Sequence, residues 1–356
     1  MENLNYLGWD EFFENNFMQY VQQQFSAARV AVENKTNYLL YTSFGEASGE
    51  ISGKLFFNSE SSSELPKVGD WVAVSLFDNN TKAVIHNVLP RKTKISRKSA
   101  DKKTEEQIIA ANIDVVFIVQ SLDENFNINR MERYLAAVNQ SGALPVAVLN
   151  KADICDDADY RKQLVENVQP GVDVINVSAL TGGGVDCLRK YFCLGKTIVF
   201  VGSSGVGKSS LINTITGVEI QKTNSMSDAT SKGKHTTTKR ELIVLPEGGL
   251  LIDTPGMREF GLWDAEEGLS KTFSGFEELA LKCKFKDCTH THETNCAVVE
   301  AVENGSISKQ QYENYIKMRK EIKYLETKQD IFAKLEEKRK WKNINKEIKR
   351  FFNNKR

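Results

Sequence analysis

The chain has 356 residues, 40% hydrophobic and 26% charged, a composition suited to two or three globular domains with cores of their own. Lys plus Arg and Asp plus Glu both number 47, so overall charge points to no class of partner. No apolar stretch has the length that spans a bilayer, and MENLNYLGWDEFF is not a basic-then-apolar leader, so a cytosolic protein with no membrane partner is expected.

Residues 1–28 read as a short helical extension, with Trp9, Phe12, Phe13 and Phe17 at helical spacing. Its acids Glu2, Asp10, Glu11 and Glu14 precede the first basic residue, Arg29. From Arg29 to about Leu89, short apolar runs (ARVAV, NYLLYTS, GKLFF, DWVAVSL, KAVIHNVL) alternate with Gly, Ser, Asn and Asp clusters. Strands at such close spacing predict a small all-β unit such as a barrel. The charged RKTKISRKSADKKTEEQ that follows lacks apolar periodicity and reads as a linker or loop.

From Ile113 to about Leu262 strands and helices alternate. IDVVFIVQS, LPVAVLN, VDVINVS and KTIVFVG read as strands, NRMERYLAAVNQ and GGVDCLRKYF as helices, and ELIVLPEGGLLIDTPG as a hairpin-like pair. Continuous apolar strands between helices predict a doubly wound, mostly parallel sheet, with ligands beyond the carboxyl ends of its strands. Beyond Gly305 there is neither Gly nor Pro, and the chain reads as helical to its end. Lys334 to Arg356 holds ten basic and three acidic residues, 10 − 3 = +7, an arrangement that fits an interaction tail or a solvated helix face.

Gly202-Ser203-Ser204-Gly205-Val206-Gly207-Lys208-Ser209 fits G-x-x-x-x-G-K-[ST], between the strand KTIVFV and the helical SSLINTI that starts at Ser209-Ser210. The glycines let backbone N–H groups face phosphate oxygens, at the positive end of a helix. Lys208 is expected to reach the β and γ phosphates, and Ser209 to ligate Mg²⁺. Asp253 ends the strand LLID as an outer partner of that ion, and the Gly256 N–H in Asp-Thr-Pro-Gly is placed to contact the γ phosphate.

Asn150-Lys151-Ala152-Asp153 chooses the base. A carboxylate at Asp153 accepts from guanine N1–H and the N2 amine, and adenine offers neither donor. The Lys151 stem can lie over the base, and Asn150 can brace a neighbouring loop. Ser178-Ala179-Leu180 ends another strand, with the Ala179 N–H expected at guanine O6. The order along the chain is guanine motif, Ser-Ala loop, phosphate loop, Asp-Thr-Pro-Gly, the reverse of ordinary small GTPases. The same sheet survives if old ends are joined and new ones opened elsewhere. The segment after Gly256 then leads straight into the C-terminal region.

Lys234-His235-Thr236-Thr237-Thr238 is the candidate first switch, with Thr237 as an Mg²⁺ ligand. Met257 follows Asp-Thr-Pro-Gly where many GTPases place a Gln that orients water. His235 is the only His between the phosphate loop and Asp253, and is the candidate for that role beside Lys208 and Thr237; a solvent-facing loop histidine is the plainer reading. Of the six Cys, Cys155, Cys187 and Cys193 are scattered. Cys283-x₄-Cys288-x-His290-x₅-Cys296 offers three thiolates and an imidazole, a set for one tetrahedral structural Zn²⁺, with His292 a competing ligand.

In combination NKAD, GSSGVGKSS, GKHTTT, DTPGMREFGLW and the Cys/His segment resemble the ribosome small-subunit-dependent GTPases of the circularly permuted class, bacterial factors in late small-subunit assembly. The resemblance covers about residues 29 to 300 and departs at both ends. It implies a multidomain protein: an N-terminal oligonucleotide-binding (OB-like) barrel over 29–95, a central α/β P-loop GTPase domain with permuted motif order over 96–265, and an α-rich zinc-binding domain with a basic helical tail over 266–356. It also implies GTP/GDP, Mg²⁺ and one Zn²⁺ per chain as cofactors, His290 as the zinc-binding histidine, and weak hydrolysis stimulated by the small ribosomal subunit. The subunit and its rRNA are the expected partners of a monomeric chain. Candidate RNA contacts are Lys67, Trp71, Arg91 and Lys94, with Trp71 equally suited to a core, and the tail residues Trp341, Phe351 and Phe352 among lysines. An alternative is a GTP-dependent ribosome-binding latch that barely hydrolyses.

Overall fold

A computed structural model describes residues 4–98, 106–217, 240–246, 248–253 and 265–328. His235, Thr237, Gly256, Met257, Trp341, Phe351 and Phe352 lie outside the described residues.

The N-terminal extension is a 3-10 turn, Asn5–Leu7, and the helix α1, Glu11–Val21, capped by the Asp10 side chain accepting from the Phe12 amide. Phe13 and Phe17, four residues apart, are buried with Trp9 against Trp71. Trp71 is fully buried, so its proposed RNA contact is overturned. It belongs to a barrel of β1 (Ser26–Glu33), β2 (Tyr38–Thr42), β3 (Gly45–Ile51), the helix α2 (Gly53–Asn58), β4 (Trp71–Phe77) and β5 (Lys82–Val88). The strand order β1-β2-β3-β5-β4 closes because β4 also pairs with β1, and only β3 and β5 run parallel.

Two expectations fail here. GKLFF is helix α2 and not a strand: the Ser52 hydroxyl accepts from the Leu55 amide as an N-cap, and Phe56 and Phe57 stay exposed. RKTKISRKSADKKTEEQ is not all loop: β6 (Lys94–Lys98) and β7 (Glu106–Ala111) form an antiparallel pair. Its polar side chains pair across the strands, Lys94 in an ion pair with Glu106 at 2.8 Å and Arg97 donating to Gln107 Oε1 at 3.0 Å, so polarity alone does not signal a loop.

The nucleotide-type sheet follows with β8 (Val115–Ser121), α3 (Ile128–Ser141), β9 (Leu144–Asn150), α4 (Ala158–Val168), β10 (Asp173–Asn176), α5 (Asp186–Arg189), β11 (Thr197–Val201), α6 (Lys208–Thr216), β12 (Glu241–Val244) and β13 (Leu250–Asp253). Its order is β10-β9-β8-β11-β13-β12, parallel throughout except for β12. Arg29, 1% exposed, locks the barrel to this sheet. Its guanidinium donates to the carbonyls of Leu7, Gly69 and Asn112 and to Thr197 Oγ1. Burial pulls its pKa down to about 10, still charged at neutral pH.

Of the C-terminal helices α7 (Glu266–Thr272), α8 (Ser274–Ala280), α9 (Ala297–Glu303) and α10 (described over 309–328), α7 packs on α3, α8 on α7 and α9 on α8, while α10 meets α3 through side-chain hydrogen bonds. The Gly268 amide donates to Gln140 Oε1 at 2.9 Å, and Arg133 holds Glu321 bidentately at 3.0 and 2.7 Å.

Candidate nucleotide site and metal centre

The guanine motif, the Ser-Ala loop and the phosphate loop converge at the carboxyl ends of β9, β10 and β11. Asn150 is the hub. It is 2% exposed, its Nδ2 donates to the Val206 carbonyl at 2.8 Å, and its Oδ1 accepts from the Ala179 amide at 3.0 Å. Gly207 has φ +92° and any Cβ there would stand 2.2 Å from Asn150 Nδ2, so both the turn and the brace require glycine. The Ala179 N–H, expected at guanine O6, is committed instead to Asn150. The Thr214 hydroxyl donates to the Ala179 carbonyl at 3.2 Å, and the Thr181 amide to the buried Ser178 Oγ at 3.1 Å, so the loop is held from both sides.

Lys151 has φ +65° and donates from Nζ to Asp123 Oδ2 at 2.8 Å. Burial opposes charge on Asp123, but donors from Lys151, the Ser121 hydroxyl and the Asn125 amide outweigh it and hold the carboxyl well below the usual range. The lysine stem is thereby fixed at the site's edge. Sequence reasoning passed over Asp123, whose one signal was an acid just past the end of a buried strand. Asp153, in the 3-10 turn Ala152–Ile154, is exposed beyond the sheet.

In the phosphate loop Lys208 Nζ lies over the carbonyls of Gly202 and Ser203, at 2.8 and 2.7 Å. Ser209 and Ser210 follow Lys208 in the first turn of α6, and Asp253 closes β13, the parallel neighbour of β11. A second residue missed in the sequence is Arg130, on the first turn of α3, whose Nη1 reaches Ser203 Oγ at 3.1 Å.

The metal-ligand set is gathered as its spacing predicts. The ligand atoms of Cys283, Cys288, His290 and Cys296 lie within 4.8 Å of one another. Cys283 Sγ stands 3.8 Å from Cys296 Sγ, and His290 Nδ1 stands 3.6 and 3.4 Å from the two sulfurs. Tetrahedral bonds of ~2.3 Å to sulfur and ~2.0 Å to nitrogen put ligand atoms ~3.5–3.8 Å apart, so the residues fit zinc. Burial, with the Cys296 and Cys283 thiols alongside, pushes Cys288 up to about 12; thiols so crowded ionise only with a cation among them. Burial, and then Arg319, lowers His290, which keeps the imidazole in its neutral, ligating form. The Tyr312 hydroxyl donates to the His290 carbonyl at 2.6 Å, and His292 stays exposed outside the cluster.

Of the barrel's basic RNA candidates, Lys67 pairs with Glu33 at 2.5 Å and Arg91 with the buried Asp70 at 2.7 Å. Both are structural ion pairs with little exposed side chain, and Lys94 is the most exposed of the three. Among the described residues no helix is long and apolar enough to cross a membrane.

Residues 88–263 match the family described as RsgA GTPase, and residues 197–355 match one described as 50S ribosome-binding GTPase. A relative from Opitutus terrae named small ribosomal subunit biogenesis GTPase RsgA is 40% identical, over 96% of this chain and 95% of its own. One of the same name from Syntrophotalea carbinolica is 39% identical over 98% of both chains, so the similarity takes in the two ends where a departure was expected. Among solved structures, YjeQ from Thermotoga maritima matches with TM-score 0.63 and 29% identity, over 84% of this chain and 98% of that one. YloQ, described as a circularly permuted GTPase, matches with TM-score 0.59 and 25% identity, over 84% and 95%. With the permuted motifs drawn together at one sheet edge and relatives of this identity along its whole length, the chain belongs to the RsgA family of GTPases.

Proposed function

We propose that this chain hydrolyses GTP while bound to the small ribosomal subunit, assists the late maturation of that subunit, and leaves it on hydrolysis. The observation that carries the reading is Asn150, which braces the phosphate loop against the Ser-Ala loop from within the guanine motif. That brace links base recognition to phosphate binding despite the inverted motif order.

In this reading Asp153 accepts from guanine N1–H and the N2 amine, and the stem of Lys151, anchored on Asp123, flanks the base. The amides of residues 202–210 and the Lys208 ammonium bind the phosphates, and the Gly256 amide meets the γ phosphate. Ser209 and Thr237 would hold Mg²⁺, with Asp253 behind them, and the ion would supply positive charge against the phosphates. His235 positions the attacking water, the role Met257 lacks the chemistry to fill. Cys283, Cys288, His290 and Cys296 hold one structural zinc and leave no position open for catalysis. Domain divisions at 28/29, 95/96 and 265/266 accompany this reading, with a monomer in the cytoplasm and rRNA as the contacted surface.

Met257 favours one second reading, a latch that binds GTP and hydrolyses it barely. Phosphate release from GTP and from ATP, measured alone and with purified small or large ribosomal subunits, separates the possibilities. Release that is selective for GTP and rises many-fold with the small subunit supports the enzyme. Tight GTP binding without stimulated release supports the latch, and stimulation by large subunits alone overturns the choice of subunit.

A further inference from the structure

We propose that Arg130 is a phosphate-contacting residue of the nucleotide site, carrying a positive charge from α3 to the terminal phosphate of GTP. The inference deepens the GTPase reading and rests on it.

The position of Arg130 is fixed by its cap. The Asn127 side chain accepts from the Arg130 amide at 3.0 Å. Asn127 is itself tied to β8: its amide donates to Gln120 Oε1 and its carbonyl accepts from Gln120 Nε2, both at 3.1 Å. Gln120 is 1% exposed, so the first turn of α3 is built on a rigid strand. From that turn the guanidinium reaches the phosphate loop, where Nη1 donates to Ser203 Oγ at 3.1 Å and, more loosely, to the Asn125 carbonyl at 3.4 Å.

Ser203 also holds the loop's own cation, its carbonyl accepting from Lys208 Nζ at 2.7 Å. A single residue therefore separates the guanidinium from the ammonium that follows the β and γ phosphates. The neighbouring Arg133 is neutralised by both oxygens of Glu321, whereas no carboxylate pairs with Arg130 among the described residues. A guanidinium has five N–H donors in a planar fork suited to phosphate. Arg130 also borders a cleft of about 560 Å³ shared with Arg133, Glu313, Asn314 and Lys317, which leaves its side chain room to turn. A cation that meets only the terminal phosphate distinguishes GTP from GDP and stabilises the charge that shifts as the bond to that phosphate breaks.

The test uses the full chain with Arg130→Ala and Arg130→Lys. Affinities for GDP and a non-hydrolysable GTP analogue are measured beside single-turnover phosphate release, with and without small ribosomal subunits. For Arg130→Ala the expected result is at least a tenfold loss of GTP-analogue affinity and of release rate, with GDP affinity changed less than about twofold. Arg130→Lys keeps part of both. An equal loss for the two nucleotides makes the arginine a brace for Ser203 only and overturns the proposal, as does no change in either. A wild-type chain that releases no phosphate under any condition overturns the GTPase reading instead, and the ratio of the two affinities still reports on Arg130.

Discussion

The Asn150 side chain donates to the Val206 carbonyl at 2.8 Å and so carries the guanine motif onto the phosphate loop, which lies 56 residues further along the chain. Its other atom takes the Ala179 amide, and all of this happens with the side chain 2% exposed. Asn150→Ala would leave a carbonyl and an amide without partners, at about 1–3 kcal/mol for each group that stays buried. Because the brace touches neither phosphate preferentially, GTP and GDP affinities are expected to fall together, by about tenfold or more. Titration calorimetry with each nucleotide checks this; a loss confined to GTP would place the brace with the γ phosphate and not with the base.

Asp153 stands exposed beyond the sheet, and in the proposed function it accepts two hydrogen bonds from guanine. Asp153→Asn replaces one accepting oxygen by an amine, which suits xanthine, whose C2 carries an oxygen in place of the N2 amine. The variant is expected to lose at least about a hundredfold in GTP affinity, as sites built for hydrogen bonding do with a mismatched partner, and to gain XTP binding. Competition by GTP, XTP and ATP against a fluorescent nucleotide measures it. GTP binding at wild-type strength would mean that the base is read elsewhere.

The segments legible in the sequence were those whose chemistry is local. The phosphate loop needs glycines at fixed spacing and the zinc set needs four ligands within fourteen positions, so each is written in one short stretch. The barrel was legible as strands but not in every member. GEASGEI has no β-branched residue before Ile51, yet it forms β3 because its small residues Ala47 and Gly49 turn inward, with Leu40 packed over Gly49. GKLFF misled because an apolar run as short as Leu55-Phe56-Phe57 suits either helix or strand, and Ser52 decided for helix by capping it. Arg130 and Asp123 were passed over because their partners, Ser203 and Lys151, lie 73 and 28 residues away. Lys67 and Arg91 looked like RNA contacts for the same reason, their carboxylate partners being distant in sequence.

The metal set makes a prediction about stability as well as content. The cluster ties the segment after α8 to α9, and Cys288, His290 and Cys296 are buried there. Protein purified without chelator is expected to carry about one zinc per chain by elemental analysis. Cys288→Ser should lose the metal and lower the melting temperature, while GDP affinity, which depends on β9, β10 and β11, stays close to wild type. A metal-free wild-type protein with an unchanged melting temperature would sink the assignment.

Glu132 gives the interface of α3 with α10 a pH dependence of definite sign. It is 1% exposed, and its carboxyl accepts from Asn314 Nδ2. Burial raises its pKa to about 7, against the weaker opposing effect of the Asn314 hydrogen bond. An acid whose pKa is raised on folding binds more protons in the folded state than in the unfolded one. Its contribution is therefore fully favourable below the unfolded value of 4.5 and is lost as pH rises toward 7. At about 1.4 kcal/mol per pH unit the loss is about 3 kcal/mol at most. Glu132→Gln keeps an oxygen for Asn314 and removes the titration. Its melting temperature should exceed that of the wild type at pH 8, and the gap should close as pH falls toward 5. Thermal melts across that range decide the matter: a gap that does not change with pH would assign the effect to packing, and charge on Glu132 would then play no part in how α10 is held on α3.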